Sequence, residues 1–268
     1  MSMKQDKLHK ILATYLKGRY DRVHVAKDYI AAAGDIPIAL VAHLDTVHKI
    51  QPSLIFHDEQ FNVLWSPQGL GADDRAGVYA ILQIIQAGYR PHVIFCKDEE
   101  IGGVGAEALV RDYPEVPFDD LKFIIELDRA GDRDCVFYEC DNTNFNKMIS
   151  SYGFTYDEGS FSDISIIAPV WKVAAVNLSI GYEYEHTFSE YLKINSMEST
   201  IKKVINILKD ESKLLNYGYV PRIYRNYKDT ECIYCGVKLK KGEGIHNYSY
   251  KFKFGYDTCP KCYQKEEL

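Results

Sequence analysis

Residues 36–46, IPIALVAHLDT, decide the fold. The run is short, almost wholly apolar and ends abruptly in His43 and Asp45. Such a run fits a central strand buried on both faces. Residues 92–96 (HVIFC), 122–127 (KFIIEL) and 172–178 (KVAAVNL) have the same form. Between them the apolar spacing changes to that of helices. Residues 73–87 place Val78, Ile81, Leu82 and Ile85 on one stripe, 106–111 form a shorter helix, and 195–215 align Ile201, Val204, Ile205 and Leu208. Upstream, Leu8, Ile11, Leu12, Tyr15 and Leu16 mark an amphipathic helix within residues 1–18. The alternation predicts the α/β class, a three-layer α/β/α unit with a mixed, largely parallel central sheet. In such sheets ligands bind beyond the carboxyl ends of the strands.

Composition agrees with a globular chain. Of 268 residues, 46% are hydrophobic and 26% charged, which excludes a collagen-like, low-complexity or mostly disordered protein. The net charge of −6 disfavours a nucleic-acid footprint over the whole chain. No apolar run approaches the roughly 20 residues that span a bilayer, so no membrane partner is expected. Residues 1–18 are too polar for a secretory signal, and the expected setting is the cytoplasm. There the seven cysteines are expected to be free or metal-bound. Cys96, Cys135 and Cys140 sit in apolar, strand-like stretches and read as core.

The strand ends carry the chemistry. The first run ends in His43 and Asp45. Gly71-Ala72-Asp73-Asp74-Arg75-Ala76-Gly77 opens a helix. HVIFC ends in Lys97-Asp98-Glu99-Glu100, with Ile101-Gly102-Gly103 following; KFIIEL ends in Asp128; and Glu185-His186 precedes the last long helix. Each piece alone has a bland reading: a solvated loop, a turn, a helix cap for Asp73-Asp74. Together they bring His, Asp, Glu, Asp and His to one edge of a sheet, where side chains converge in a cleft.

The motifs AHLDT, GADDRAG, DEEIGG and the late EH resemble the zinc-dependent exopeptidases of clan MH, of the peptidase T, carboxypeptidase and leucyl-aminopeptidase type. GADDRAG and DEEIGGVGA are most similar to the peptidase T branch. The resemblance covers about residues 36–210. It implies two catalytic zinc ions, cobalt or manganese being alternatives. His43 and Asp128 would bind one ion, Glu100 and His186 the other, and Asp73 would bridge both. Asp45 would orient His43 through its second ring nitrogen. Glu99 would be the general base toward a zinc-bridged hydroxide. Asp74 is not expected to be a ligand, and the peptide between Asp73 and Asp74 is expected to be cis. The implied reaction is hydrolysis of a peptide bond, foremost by an aminopeptidase acting on short peptides. An N-acyl amino acid amidase with the same site and a catalytically silent binding protein are the alternatives. Only about 35 residues separate Asp128 from Asp163, too few for the lid domain of the carboxypeptidase and peptidase T types, so a compact form is expected. Residues 159–163, GSFSD, resemble a segment lining the family's substrate cleft and read equally well as a plain loop.

Residues 217–268 differ from the rest. They hold ten Lys+Arg and six Asp+Glu, a net of +4, and nine of the 21 tyrosines. Cys232-x-x-Cys235 and Cys259-x-x-Cys262 stand 23 residues apart, the pattern of one structural zinc held by four thiolates. The expected division is a catalytic domain at 1–216 and a zinc-ribbon module at 217–268. Residues 238–254 would form a hairpin with Gly242 and Gly244 at its turn. Tyr248, Tyr250, Phe252, Phe254 and Tyr256, interleaved with basic residues, could stack on nucleic acid. Packing or a protein partner through the ribbon is the favoured expectation.

Overall fold

The computed structural model describes residues 1–225, 228–249 and 254–266. The chain divides into two compact units, Met1–Val220 and Pro221–Leu268. The first unit runs α1 (Gln5–Lys17), β1 (Arg22–Val25), β2 (Tyr29–Ala33), β3 (Ile36–His43), β4 (Phe56–Asp58), β5 (Val63–Trp65), α2 (Ala72–Gln86), β6 (Pro91–Cys96) and α3 (Val104–Asp112). It continues with β7 (Phe123–Arg129), β8 (Asp134–Val136), α4 (Thr143–Ser151), β9 (Thr155–Tyr156), α5 (Asp163–Trp171), β10 (Ala175–Ser179), β11 (Tyr182–Glu183), β12 (Tyr191–Lys193) and α6 (Ile194–Lys209).

Eight strands form the main sheet in the order β1-β2-β6-β3-β7-β10-β8-β9. Its centre, β6-β3-β7-β10, is parallel, and the four apolar runs of the sequence supply those strands. The sheet is mixed because β2 and β8 join its centre antiparallel. Alternation along each strand separates two cores. Ile38, Leu40, Val93, Phe95, Phe123, Ile125, Val176 and Leu178 pack toward α1, α2, α4 and α6. Ala39, Val41, Ile94, Cys96, Ile124 and Ala175 pack toward α3 and α5. The three-layer α/β/α architecture follows from this two-sided burial. Cys96, Cys135 and Cys140 are buried, as expected.

A second sheet, β11-β12-β5-β4, has four short strands with no counterpart in the sequence reading, because each is only two or three residues long. α6 also stops at Lys209, short of Leu215, and a single 3-10 turn, Glu211–Lys213, follows it. Asp210, at that end, accepts hydrogen bonds from the Tyr152 and Ser212 hydroxyls. Among the described residues no helix is long and apolar enough to cross a membrane.

The unit boundary falls four residues beyond the expected 216/217. Tyr217 is buried against Phe123 and Phe145, with ring centroids 5.8 and 5.2 Å away. Its amide donates to Lys122 O, and its carbonyl accepts from Ala174 N. The segment thus continues the β7–β10 layer and has nothing of the ribbon about it.

The second unit continues with β13 (Tyr224–Arg225), β14 (Thr230–Glu231), β15 (Lys238–Leu239), β16 (Ile245–Ser249), β17 (Phe254–Thr258) and α7 (Pro260–Glu266). β14 and β15 pair across the Cys232–Cys235 turn, where Gly236 adopts a left-handed φ of 70°. The hairpin is β16 with β17, and residues 250–253 between them lie outside the described residues. Gly242 and Gly244 instead connect β15 to β16. The expected hairpin misplaced them because glycines mark turns without saying which strands they join. Tyr250 and Phe252 lie outside the described residues, as do the side chains of Tyr248 and Phe254. The four cysteines converge, one sulfur from each lying within 4.8 Å of the others.

Tyr217→Ala should lower the stability of the first unit by about 3 kcal/mol, the cost of deleting a buried aromatic ring. Denaturant unfolding read by circular dichroism checks this; a loss under about 0.5 kcal/mol would place Tyr217 outside the core.

Candidate metal centre

The parallel strands β3, β6 and β7 deliver the site. His43, the last residue of β3, pairs with Cys96 of β6. Val41 pairs with Glu126 of β7, so His43 and Asp128, each two residues further, leave neighbouring strands at one level and on one face. His43 Nε2 lies 3.0 Å from Asp73 Oδ1 and 3.4 Å from Asp128 Oδ1. On the other side, His186 Nε2 lies 3.0 Å from Asp73 Oδ2 and 2.9 Å from Glu100 Oε2. The two oxygens of Asp73 therefore face different imidazoles. All five residues singled out at the strand ends meet in one cluster. One donor atom each from His43, Asp73 and Glu100 falls within a 4.8 Å set that could hold a metal ion.

Asp73 gets its place from the way α2 begins. The Asp73–Asp74 peptide is cis, and both residues have non-helical backbone angles. Asp74 then acts as the helix cap: its carboxylate accepts from Gly77 N at 2.9 Å and from His43 N at 3.2 Å. It is wholly buried. A Cβ on Gly77 would lie 2.1 Å from Leu127 O and 2.5 Å from Asp74 Oδ1, so only glycine lets α2 approach β7 here.

Asp45 ties two segments together. Its Oδ1 faces His43 Nδ1 at 3.2 Å and accepts from Glu99 N at 3.0 Å, and its Oδ2 accepts from Glu100 N at 3.1 Å. One carboxylate so orients the His43 ring and the turn that carries Glu99 and Glu100. That turn is closed by Gly102 and Gly103, whose amides both donate to Glu99 O. Gly103 has φ 71°, and a Cβ there would strike Ile166 and Phe161. His186 and Asp98 also occupy the left-handed region, at φ 64° and 58°, so backbone strain gathers around the cluster.

The electrostatics show surplus negative charge. Burial alone would lower the His43 pKa, but Asp128, Asp45 and Asp73 push it well above its ordinary value. Hydrogen bonds to Asp73 and Glu100 hold His186 up at about 11. Burial would raise Asp73, yet the two imidazoles pull it below the usual carboxylate range. Burial raises Asp128 to about 7 in spite of His43 beside it. Burial likewise raises Glu99 to about 8, where the pull of His43 is outweighed with the help of Asp128, Asp163 and Glu100. Glu100 Oε1 has no hydrogen-bond partner among the described residues. A buried acid cluster with such an orphan oxygen needs cations to compensate it. Imidazole nitrogens and carboxylate oxygens form a donor set that zinc, cobalt or manganese accept.

Several residues of the site escaped the sequence reading. Tyr182 is buried and its hydroxyl donates to Asp128 Oδ1 at 3.1 Å. Glu126 and Asn177 are buried beneath the cluster. Ser162 donates to Glu126, and Asn177 brackets Asp128 by accepting from its amide and donating to its carbonyl, both at 2.9 Å. Asp163, in the segment the sequence singled out, is fully buried beside the Cys96 thiol, and burial raises its pKa to about 7. The segment 159–163 is therefore more than a surface loop. A signal existed for two of these: Glu126 and Asn177 are polar residues inside runs that otherwise read as buried strands. Tyr182 carried none.

In the second unit, the knuckle backbone turns inward: Cys232 N donates to Val237 O and Gly236 N to Cys232 O. Cys232, Leu239 and Cys259 form its small core. His246 Nδ1 lies 2.7 Å from Asp257 Oδ1.

The sequence model of peptidase family M28 matches residues 25–158, half of the chain. No curated protein matches the sequence. Among solved structures, the fold is similar to a tripeptidase from Staphylococcus aureus subsp. aureus Mu50, with a TM-score of 0.63 at 15% identity over 76% of this chain and 92% of that one. Aminopeptidase PepT from Bacillus cereus ATCC 10987 gives 0.55 at 16% identity, over 77% and 92%. A TET aminopeptidase from a marine sediment Thaumarchaeota archaeon gives 0.56 at 14% identity, over 77% and 92%. At these identities the structural likeness speaks for the fold alone. The matched segment carries His43, Asp45, Asp73, Glu99, Glu100 and Asp128, and on that match the chain belongs to peptidase family M28.

Proposed function

We propose that this chain is a two-metal aminopeptidase acting on short peptides. The observation that carries the reading is the Asp73 carboxylate, with one oxygen toward His43 and the other toward His186. His43, Asp128 and Asp73 would hold one cation, and His186, Glu100 and Asp73 the other. Bound divalent cations supply the Lewis acidity that polarises a peptide carbonyl and eases the deprotonation of water.

The protein's own groups do the rest. Glu99 lies next in chain to a proposed ligand and is held by Asp45 through its amide. Burial poises its carboxyl near neutrality, the range in which a base both takes and returns a proton. Glu99 would take the proton of the attacking water and pass it to the departing amine. Asp45 fixes the His43 tautomer by accepting from Nδ1, which leaves Nε2 free as a donor atom. The similar structures bear the names tripeptidase and aminopeptidase, which favours a peptide substrate over an N-acyl amino acid. For the second unit, a single zinc held by Cys232, Cys235, Cys259 and Cys262 fits the converging sulfurs. Seven unbridged thiols fit a reducing cytoplasm.

Reloaded with zinc, the full chain should contain three metal ions by elemental analysis. A saturated chain holding only one would remove the two-metal mechanism. Digestion of a peptide library, read by mass spectrometry, should show stepwise loss of amino-terminal residues. Cleavage confined to N-acyl amino acids would assign the amidase instead.

Glu99→Gln should keep both cleft metals and lose about 10²–10⁴-fold in kcat, because the amide keeps the shape but cannot accept the proton. Activity near wild type would show that another group is the base. Asp73→Ala should lose metal and activity together.

Metal uptake should release protons. In the ion-free protein His186 is protonated at neutral pH, since its pKa is held near 11, and it must give up that proton to donate to a cation. Apparent zinc affinity should therefore rise with pH across about 6–8, and calorimetry in buffers of different ionisation heat should report the proton released. Uptake in the cleft that is independent of pH and buffer would contradict the assignment of His186.

A further inference from the structure

We propose that Glu190 is the positioning residue that locks together three of the segments carrying the cleft ligands, those of His43, Asp73 and His186; the inference rests on the two-metal reading of those ligands. Glu190 is 1% exposed. Its Oε2 accepts from Gly71 N at 2.6 Å, and its Oε1 accepts from Ala72 N at 2.7 Å and Asp73 N at 3.0 Å. Three successive amides, ending in that of the bridging carboxylate, thus converge on one anion. Hydrogen bonds to a charged acceptor are roughly twice as strong as neutral ones, and water is excluded here.

Glu190 comes from the connection between β11 and β12, four residues after His186. Anchoring it to residues 71–73 fixes the base of the loop that presents His186 against the loop that presents Asp73. The third segment joins through His48. Its Nε2 lies 3.3 Å from Glu190 Oε2, and its ring covers Gly69, where a Cβ would lie only 2.3 Å from His48 Cε1. His48 follows His43 and Asp45 on the same stretch of chain, and its amide donates to Thr46 Oγ1 at 3.4 Å. One carboxylate therefore ties the continuation of β3, the entry to α2 and the β11–β12 loop, which supply His43, Asp73 and His186. These ligands stand far apart in sequence, and no shared secondary-structure element holds Asp73 against His186. Glu190 touches none of the proposed donor atoms and acts through the backbone.

The test compares the full-length wild type with Glu190→Ala and Glu190→Gln. Metal-free protein is titrated with Co²⁺ and followed by visible absorption, in which the four-thiolate site is recognised by its sulfur charge-transfer bands. Amide exchange of residues 66–75 is measured in parallel by mass spectrometry. Glu190→Ala should bind cleft cobalt about 10–100-fold more weakly, the usual cost of losing a group that orients ligands. It should also exchange amides 71–73 faster. Glu190→Gln keeps one carbonyl-type oxygen for Ala72 and Asp73 but loses the acceptor for Gly71, so it should fall between, with Gly71 the amide most exposed. At saturating cobalt, kcat for a short peptide should fall more than KM rises. Wild-type cobalt affinity together with wild-type exchange in either variant overturns the proposal, and the Gln variant decides if the Ala variant does not fold. Wild-type protein that takes up cobalt only at its cysteines would instead sink the two-metal reading, while the exchange rates would still decide whether Glu190 clamps the loop.

Discussion

Everything around the cleft depends on one carboxylate placed between two imidazoles. Each oxygen of Asp73 is committed to a different histidine, the geometry on which the proposed two-cation site rests. The arrangement is electrostatically demanding. Asp73, Glu100, Asp128, Glu99 and Asp163 crowd a poorly solvated volume, and without cations the imidazoles and some of the carboxyls must hold protons. The raised pKa values of His186, Asp128, Glu99 and Asp163 are four expressions of that single constraint.

The fold answers the constraint by spending its rigid elements on placement. Parallel strands β3 and β7 end side by side and bring His43 and Asp128 to one level. Behind them, Asn177 and Tyr182 hold Asp128 by backbone and side chain. The segments that are not strands are held by carboxylates that accept backbone amides: Asp74 for the start of α2, Asp45 for the Glu99–Glu100 turn, and Glu190 for residues 71–73. Loops bearing catalytic groups are usually the least stable parts of a structure. Here charged acceptors in a dry interior replace the hydrogen-bonded ladder that a loop lacks.

The two units solve different physical problems. The first has enough apolar material for two cores on either side of a sheet. The second has a described core of three residues, two of them cysteines, and at that size burial alone does not sustain a fold. Four converging sulfurs supply a point at which a metal would do so.

The sequence by itself determined the architecture and the ligand candidates. Apolar runs such as IPIALVAH and HVIFC fit central strands, whose ends lie at the cleft edge, and with the motifs around them His43, Asp73, Glu99, Glu100, Asp128 and His186 were legible as candidates. The cysteine spacing was legible for the same kind of reason, because ligands near in sequence leave a local pattern. Tertiary structure alone decided the rest. The strands of the small sheet are too short to show a period, Tyr217 joins the first core through long-range ring contacts, and Gly242 and Gly244 turn out to link different strands from those expected. Glu190 and Tyr182 act across separations that no local pattern encodes. Their roles arise only when residues distant along the chain are brought within hydrogen-bond range in an interior without water.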